Sequence, residues 1–167
     1  MNDSVADRLV IGVGNPDRAD DGAGSLVAAQ MRALRLPRWR VIVRTGDLLG
    51  LLDDWAGAGA VVVVDAAAPL ARAGAIHRWT PGREGLPVPP RPRSTHGFGV
   101  AEALALAEHL GCLPPALVVY AIEGANFAVG GAMTPAVRRA SLALARRLGA
   151  GRGVPLGAAR AVPVRAP

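Results

Sequence analysis

Residues 60–66 read AVVVVDA. A strand with one face in water alternates apolar and polar residues, and this run does not. Four consecutive valines, Val61 to Val64, ask for cover on both faces, as in a parallel sheet with helices packed above and below it. The run closes on Asp65, and a carboxylate emerging from a buried strand needs a partner.

The rest of the chain alternates as such a sheet requires. RLVIGVG (8–14) reads as a buried strand ending in a glycine turn, and Leu26, Val27, Met31 and Leu34 recur at helical spacing from Gly24 to about Leu36. WRVIVRTG (39–46) is a second strand, and Asp47 can cap a helix over LLGLLDDWAGA. GAIHRWT (74–80) predicts a fourth, shorter strand whose nearness to the third suggests an antiparallel edge hairpin. PGREGLPVPPRPRS (81–94) holds five prolines and is expected to be an irregular loop bordering a substrate groove, mobile without substrate. A helix over about 98–110 stops at Gly111, PALVVYAIEG (115–124) is the fifth strand, and Thr134 with Pro135 makes a cap and first-turn pair for a last helix ending at Gly149. The expected fold is α/β: a three-layer α/β/α sandwich on a twisted, mostly parallel five-stranded sheet with one antiparallel edge strand. Residues 1–150 make one domain, and the aperiodic, basic residues 151–167 are expected to form a disordered tail.

Composition removes several functions. All 19 basic residues are arginine. Without lysine there is no P-loop, no Schiff base to pyridoxal phosphate and no receiver domain. The one cysteine, Cys112, excludes an internal disulfide and a cysteine-rich zinc site, and reads as a small packing residue. No apolar run approaches the roughly 18 residues that span a bilayer, and MNDSVADR lacks the features of a signal peptide, so a cytoplasmic protein without a membrane partner is expected. Residues 1–123 carry 12 Arg against 13 acids, whereas 124–167 carry 7 Arg and no acid. With no aromatics interleaved, that basic end reads as a solvated helix face and tail rather than a nucleic-acid surface.

In an open α/β sheet the ligand site lies beyond the carboxyl ends of the strands. Asp20 and Asp21 follow the first strand, Asp65 closes the third and Glu123 the fifth, and His96 stands in STHGFGV before the third helix. Two carboxylates and an imidazole can therefore meet as oxygen and nitrogen ligands of a divalent cation. Each also has a plainer reading: Asp20 or Asp21 as favourable charge at a helix N-terminus, His96 as a helix cap, His77 and His109 as surface residues. The glycine turn GVGNPDRADDGAG (12–24) is no dinucleotide cradle. The fingerprint G-x-G-x-x-G needs glycine where Asp17 stands, and two aspartates would face the pyrophosphate.

GVGNPDRADDGAG, VVVVDA, STHGFG and VVYAIEG…G…MTPAV, in this order over about residues 8–148, resemble the hydrogenase maturation proteases. The resemblance implies an endopeptidase that trims the C-terminal extension from the large-subunit precursor of a nickel–iron hydrogenase after nickel insertion. It places the metal-recognising residues on Asp21, Asp65 and His96. The first of these is often Glu in the family, which keeps Asp20 as a possible substitute. It further implies a cytoplasmic protein, a protein substrate, no nucleic acid, and no permanently bound cofactor: nickel arrives in the substrate, with zinc or cadmium able to stand in for it. Cleavage follows either from the metal polarising the scissile carbonyl or activating water, or from an acid such as Asp20 acting as general base beside a docking metal. A monomer is expected. The alternative is a small-ligand or nucleotide-binding module on a flavodoxin-like sheet, without peptidase activity.

Overall fold

The valine run forms the middle strand of the sheet. A computed structural model describes residues 8–46, 48–81 and 99–154. Within them β1 (Arg8–Val13), β2 (Trp39–Arg44), β3 (Ala60–Ala67), β4 (Ile76–Trp79) and β5 (Leu117–Glu123) form one sheet of order β2-β1-β3-β5-β4. β1 pairs in parallel with β2 and β3, β3 in parallel with β5, and β4 runs antiparallel to β5 at the edge. The α/β class and the mostly parallel sheet agree with the expectation.

Alternation along β3 shows why four valines are needed. Val61 and Val63 pack with Leu9, Ile11, Trp55, Leu104 and Val119 on one face, while Val62 and Val64 pack with Val10, Val27, Met31, Tyr120 and Leu148 on the other. The first face is covered by α2 (Leu51–Asp54) and α3 (Val100–His109), the second by α1 (Ala23–Ala33) and α4 (Pro135–Gly149). Each valine is fully buried, and each stabilises its layer by about 1.5–3 kcal/mol through apolar area withdrawn from water.

Two glycines of the opening motif are packing residues. A Cβ on Gly12 would lie 2.1 Å from the Gly24 carbonyl oxygen, and one on Gly24 would lie 2.3 Å from the carbonyl oxygens of both Val13 and Val64. Helix α1 therefore sits backbone against backbone on β1 and β3, a separation that no side chain permits.

Several expectations change. β4 is an antiparallel edge strand, but its partner is β5 rather than β3. The connection after β3 is drawn across the end of β5: the Gly74 N–H donates to the Glu123 carbonyl at 2.7 Å and the Glu123 N–H to that of Ala75 at 2.9 Å. The second helix is a single turn, and its expected cap, Asp47, lies outside the described residues. Cys112 is exposed rather than packed. The tail expected from residue 151 begins as part of the fold, because the Tyr120 hydroxyl donates to the Gly153 carbonyl at 2.7 Å and Val154 packs against the α1/α4 core. Residues 155–167 and the proline loop from 82 to 94 lie outside the described residues.

Candidate functional site

Strand order 2-1-3 makes the chain leave β1 toward one side of the sheet and reach β3 from the other. The gap between the carboxyl ends of β1 and β3 is therefore the topological switch point, where open α/β sheets hold their ligands. β1 stays paired with β3 only as far as Gly12 opposite Val64, whereas β3 and β5 remain paired from Asp65 opposite Ala121 to Ala67 opposite Glu123. Asp65 thus has a strand neighbour on one side only. By alternation it belongs to the face of Val61 and Val63, the face covered by α3.

The turn after β1 brings the second carboxylate. Gly14 adopts φ +120°, and a Cβ there would lie 1.9 Å from the Asp21 carbonyl oxygen, so the 3-10 turn Ala19–Gly22 folds directly back over Gly14. The Asn15 N–H donates to Asp21 Oδ2 at 2.9 Å, and the Ser25 hydroxyl donates to the Gly14 carbonyl at 2.9 Å, tying the turn to the first helical turn of α1. Asp21 is buried.

Burial pushes the Asp65 carboxyl up to about 7, the Ala66 N–H donating to its Oδ1 at 2.8 Å pulls it back, and the negative charge of Asp21 raises it further. Asp65 keeps a narrow opening to solvent, yet protein surrounds the carboxyl closely enough for desolvation to dominate. A carboxyl raised by burial and by a second acid at a sheet's switch point is the kind of perturbed group that marks a candidate functional site.

Asp20 has another task. It is fully buried, and both its oxygens face the connection between β5 and α4. The N–H groups of Ala125 and Asn126 donate to Oδ2 at 2.8 and 3.0 Å, that of Thr134 to Oδ1 at 2.6 Å, and the Thr134 hydroxyl to Oδ2 at 3.1 Å. Three of these donors sit on Oδ2 and one on Oδ1, so the carboxylate is largely committed to this connection. That structural task counts against the role of general base or substitute ligand expected for Asp20. Thr134 does stand at the N-cap of α4, with Pro135 in the first turn, but its side chain serves Asp20 and makes no cap bond to its own helix.

Glu123 is likewise structural. The N–H groups of Leu70, Ala71 and Arg72 donate to its Oε2 at 3.3, 3.0 and 2.8 Å, and His77 Nε2 lies 2.5 Å from its Oε1. The Ala71 N–H, then His77, then the Arg72 N–H hold this carboxyl down at about 2, against a weaker opposing push from burial and with further help from the Leu70 N–H. The side chain is 1% exposed, and its four hydrogen-bond donors outweigh the cost of burying the charge. His77 is half-exposed, as expected of an edge strand, and its bond to Glu123 was not foreseen.

His96 lies outside the described residues. Gly99 is the N-cap of α3, and the Glu102 side chain accepts from the Gly99 N–H at 3.0 Å, so the cap role considered for His96 is filled by others. Among the described residues no three His, Cys, Asp or Glu side chains come together as a metal-holding set. The structure brings Asp21 and Asp65 together and turns Asp20 and Glu123 elsewhere.

The same architecture occurs in solved structures. The chain superposes on the nickel–iron hydrogenase maturation protease HycI from Thermococcus kodakarensis KOD1 with a TM-score of 0.67 at 20% identity, covering 89% of this chain and 93% of that one. The fold is that of the hydrogenase maturation proteases. The endopeptidase HycI from Escherichia coli gives 0.66 at 20% identity over 86% and 89% of the two chains, and the hydrogenase maturating endopeptidase HybD from E. coli gives 0.62 at 22% over 89% and 96%. No protein-family model matches the sequence, and no curated protein matches it. Among the described residues no helix is long and apolar enough to cross a membrane.

Proposed function

We propose that this chain is an endopeptidase that removes the C-terminal extension of a nickel–iron hydrogenase large-subunit precursor once nickel has been inserted. The observation that supports the reading is the Asp21–Asp65 pair at the switch point of a fold shared with hydrogenase maturation proteases. Nickel belongs to the substrate. Asp21 and Asp65 offer it two oxygens, and His96 adds a neutral imidazole nitrogen, a donor set that nickel, zinc or cadmium accepts. His96 stands three residues before Gly99, the N-cap of α3, in the sequence. That helix feeds the parallel strand β5 and therefore begins at the carboxyl edge, on the same face as Asp65.

The chemistry follows from charge. Without a cation Asp65 holds a proton because burial and Asp21 disfavour its anion. Arrival of nickel displaces that proton and binds precursor to enzyme only when the metal is in place. The substrate is then a cytoplasmic protein, met by a single copy of this chain. The nucleotide form of the alternative, a small-ligand or nucleotide-binding module, is disfavoured, since two acids occupy the place where a phosphate would sit.

The test is to mix the protein with a nickel-loaded precursor and follow the mass of the large subunit. Loss of the C-terminal peptide, abolished in Asp21→Asn, Asp65→Asn and His96→Ala while the fold persists, supports the reading. Processing by all three variants at the wild-type rate overturns it.

A further inference from the structure

With Asp20 largely committed to the connection between β5 and α4, the sheet itself offers another proton acceptor. His77 of β4 lies opposite Ala121 of β5, and Ala121 lies opposite Asp65 of β3. Asp65, Ala121 and His77 therefore form one row across three neighbouring strands. Alternation puts all three on one face: Asp65 follows Val61 and Val63, Ala121 follows Leu117 and Val119, and His77 stands two residues before Trp79. Those apolar residues pack in the same core layer. Asp65 and His77 thus leave the same face at the carboxyl edge, two strand spacings or about 10 Å apart at the backbone. Only the methyl group of Ala121 stands in the row between them.

The imidazole is oriented by a carboxylate. His77 Nε2 lies 2.5 Å from Glu123 Oε1, and Glu123 shares the face of Asp65 one row further along, opposite Ala67. An ionised carboxylate can only accept, so in the neutral ring the hydrogen stands on Nε2 and Nδ1 keeps its lone pair. Among the described residues Nδ1 has no hydrogen-bond partner. The pair is also graded in exposure, with Glu123 buried and the His77 side chain half-exposed. Tethering the loop does not call for an imidazole, because the N–H groups of Leu70, Ala71 and Arg72 already hold Glu123 Oε2. A buried carboxylate that fixes one ring nitrogen while the other faces outward is the arrangement by which a histidine is made a directed base.

We propose that His77, oriented by Glu123, is the general base and then the general acid of the peptide-bond hydrolysis. This rests on the endopeptidase reading and deepens it. The precursor, anchored through its nickel at Asp21 and Asp65, runs across Ala121 toward the sheet edge, where its scissile bond meets His77. Nδ1 takes a proton from a water molecule as the water oxygen bonds to the scissile carbonyl carbon. The carbon–nitrogen bond of the resulting tetrahedral intermediate then breaks as Nδ1 returns that proton to the leaving nitrogen. One water is consumed, and the products are the new carboxyl terminus of the large subunit and the free amine of the released peptide. Glu123 stays ionised throughout and is a positioning residue, holding the ring and balancing the charge of the transient imidazolium.

The test uses the full chain and the nickel-loaded precursor, with kcat and KM measured at a temperature well below every midpoint. His77→Ala should lower kcat about a hundredfold or more with KM nearly unchanged, and imidazole added to the assay should restore a large part of the loss. Glu123→Gln should lower kcat about tenfold or more in the wild type and have no further effect on kcat in His77→Ala, because it acts through the ring. A wild-type kcat in His77→Ala, or a loss that imidazole does not rescue, assigns His77 to the structure of the edge alone and overturns the proposal. Equal slowing by Glu123→Gln with and without His77 rejects the orienting role. If His77→Ala does not fold, folded His77→Gln decides in its place: a comparable fall in kcat supports the base and a wild-type kcat rejects it. Absence of cutting by the wild type rejects the endopeptidase function and the base with it, whereas normal cutting by the wild type and by the His77 variants rejects the base alone.

Discussion

The Asp21 carboxylate, projected from the turn after β1, lies close enough to Asp65 on β3 that its charge adds to the burial holding Asp65 protonated up to about pH 7. Such a relationship is unfavourable for the empty fold. It persists because Gly12, Gly14 and Gly24 let the turn and α1 settle directly on the sheet, leaving the two acids no room to separate.

Asp65→Asn should therefore yield a more stable but inactive protein. The sign follows from the raised folded value: between 3.8 and about 7 the native state binds more protons than the unfolded chain, so stability falls as pH rises through that window and stays reduced above it. The amide keeps an oxygen for the Ala66 N–H and removes the charge. A gain of up to about 4 kcal/mol at pH 8, shrinking toward zero near pH 4, is expected in denaturant melts. A pH-independent difference would contradict the raised value.

Glu123 should behave in the opposite sense. Its carboxyl is held at about 2 against an ordinary 4.5, so its contribution is complete above 4.5 and is lost as pH falls from there to 2. Glu123→Gln should lower the melting temperature at pH 7 by on the order of 5 °C, and the gap should close below pH 3. His77→Ala removes only one partner of a carboxylate that retains three backbone donors, and should cost less.

Much of this was legible in residues alone. The valine run announced a doubly covered strand, and the acids after β1 and β3 pointed to the switch point, because local pattern and strand order depend on near neighbours in sequence. The partner of β4 was not legible: residues 70–72 are held over the end of β5 by N–H groups donating to the Glu123 carboxylate, a contact across more than fifty residues that no local pattern encodes. Asp20 misled for a similar reason. Adjacent to Asp21 and equal to it in chemistry, it differs only in facing donors at 125, 126 and 134, more than a hundred residues away.

Gly24→Ala should be among the most damaging single methyl additions in the chain. The new Cβ would press on the Val13 and Val64 carbonyl oxygens at once, and both belong to backbone that cannot yield. A loss of about 2–4 kcal/mol is expected, together with reduced processing as the Asp21 turn is lifted from β3. An unchanged urea midpoint would show that α1 can shift freely.

The start of the tail is part of the fold. A chain ending at Ala150 loses the Tyr120–Gly153 bond and the Val154 contact, and should be about 1–3 kcal/mol less stable than one ending at Val154. Equal melting temperatures for the two truncations would show that residues 151–154 contribute nothing.

The most direct measurement compares two forms of one substrate. Large-subunit precursor is prepared with and without nickel, each is incubated with this protein, and the intact mass is followed. The predicted result, on the proposed recognition of nickel by Asp21, Asp65 and His96, is loss of the C-terminal extension from the nickel-loaded form only. Equal trimming of both forms, or trimming of neither, would contradict nickel recognition by the acid pair.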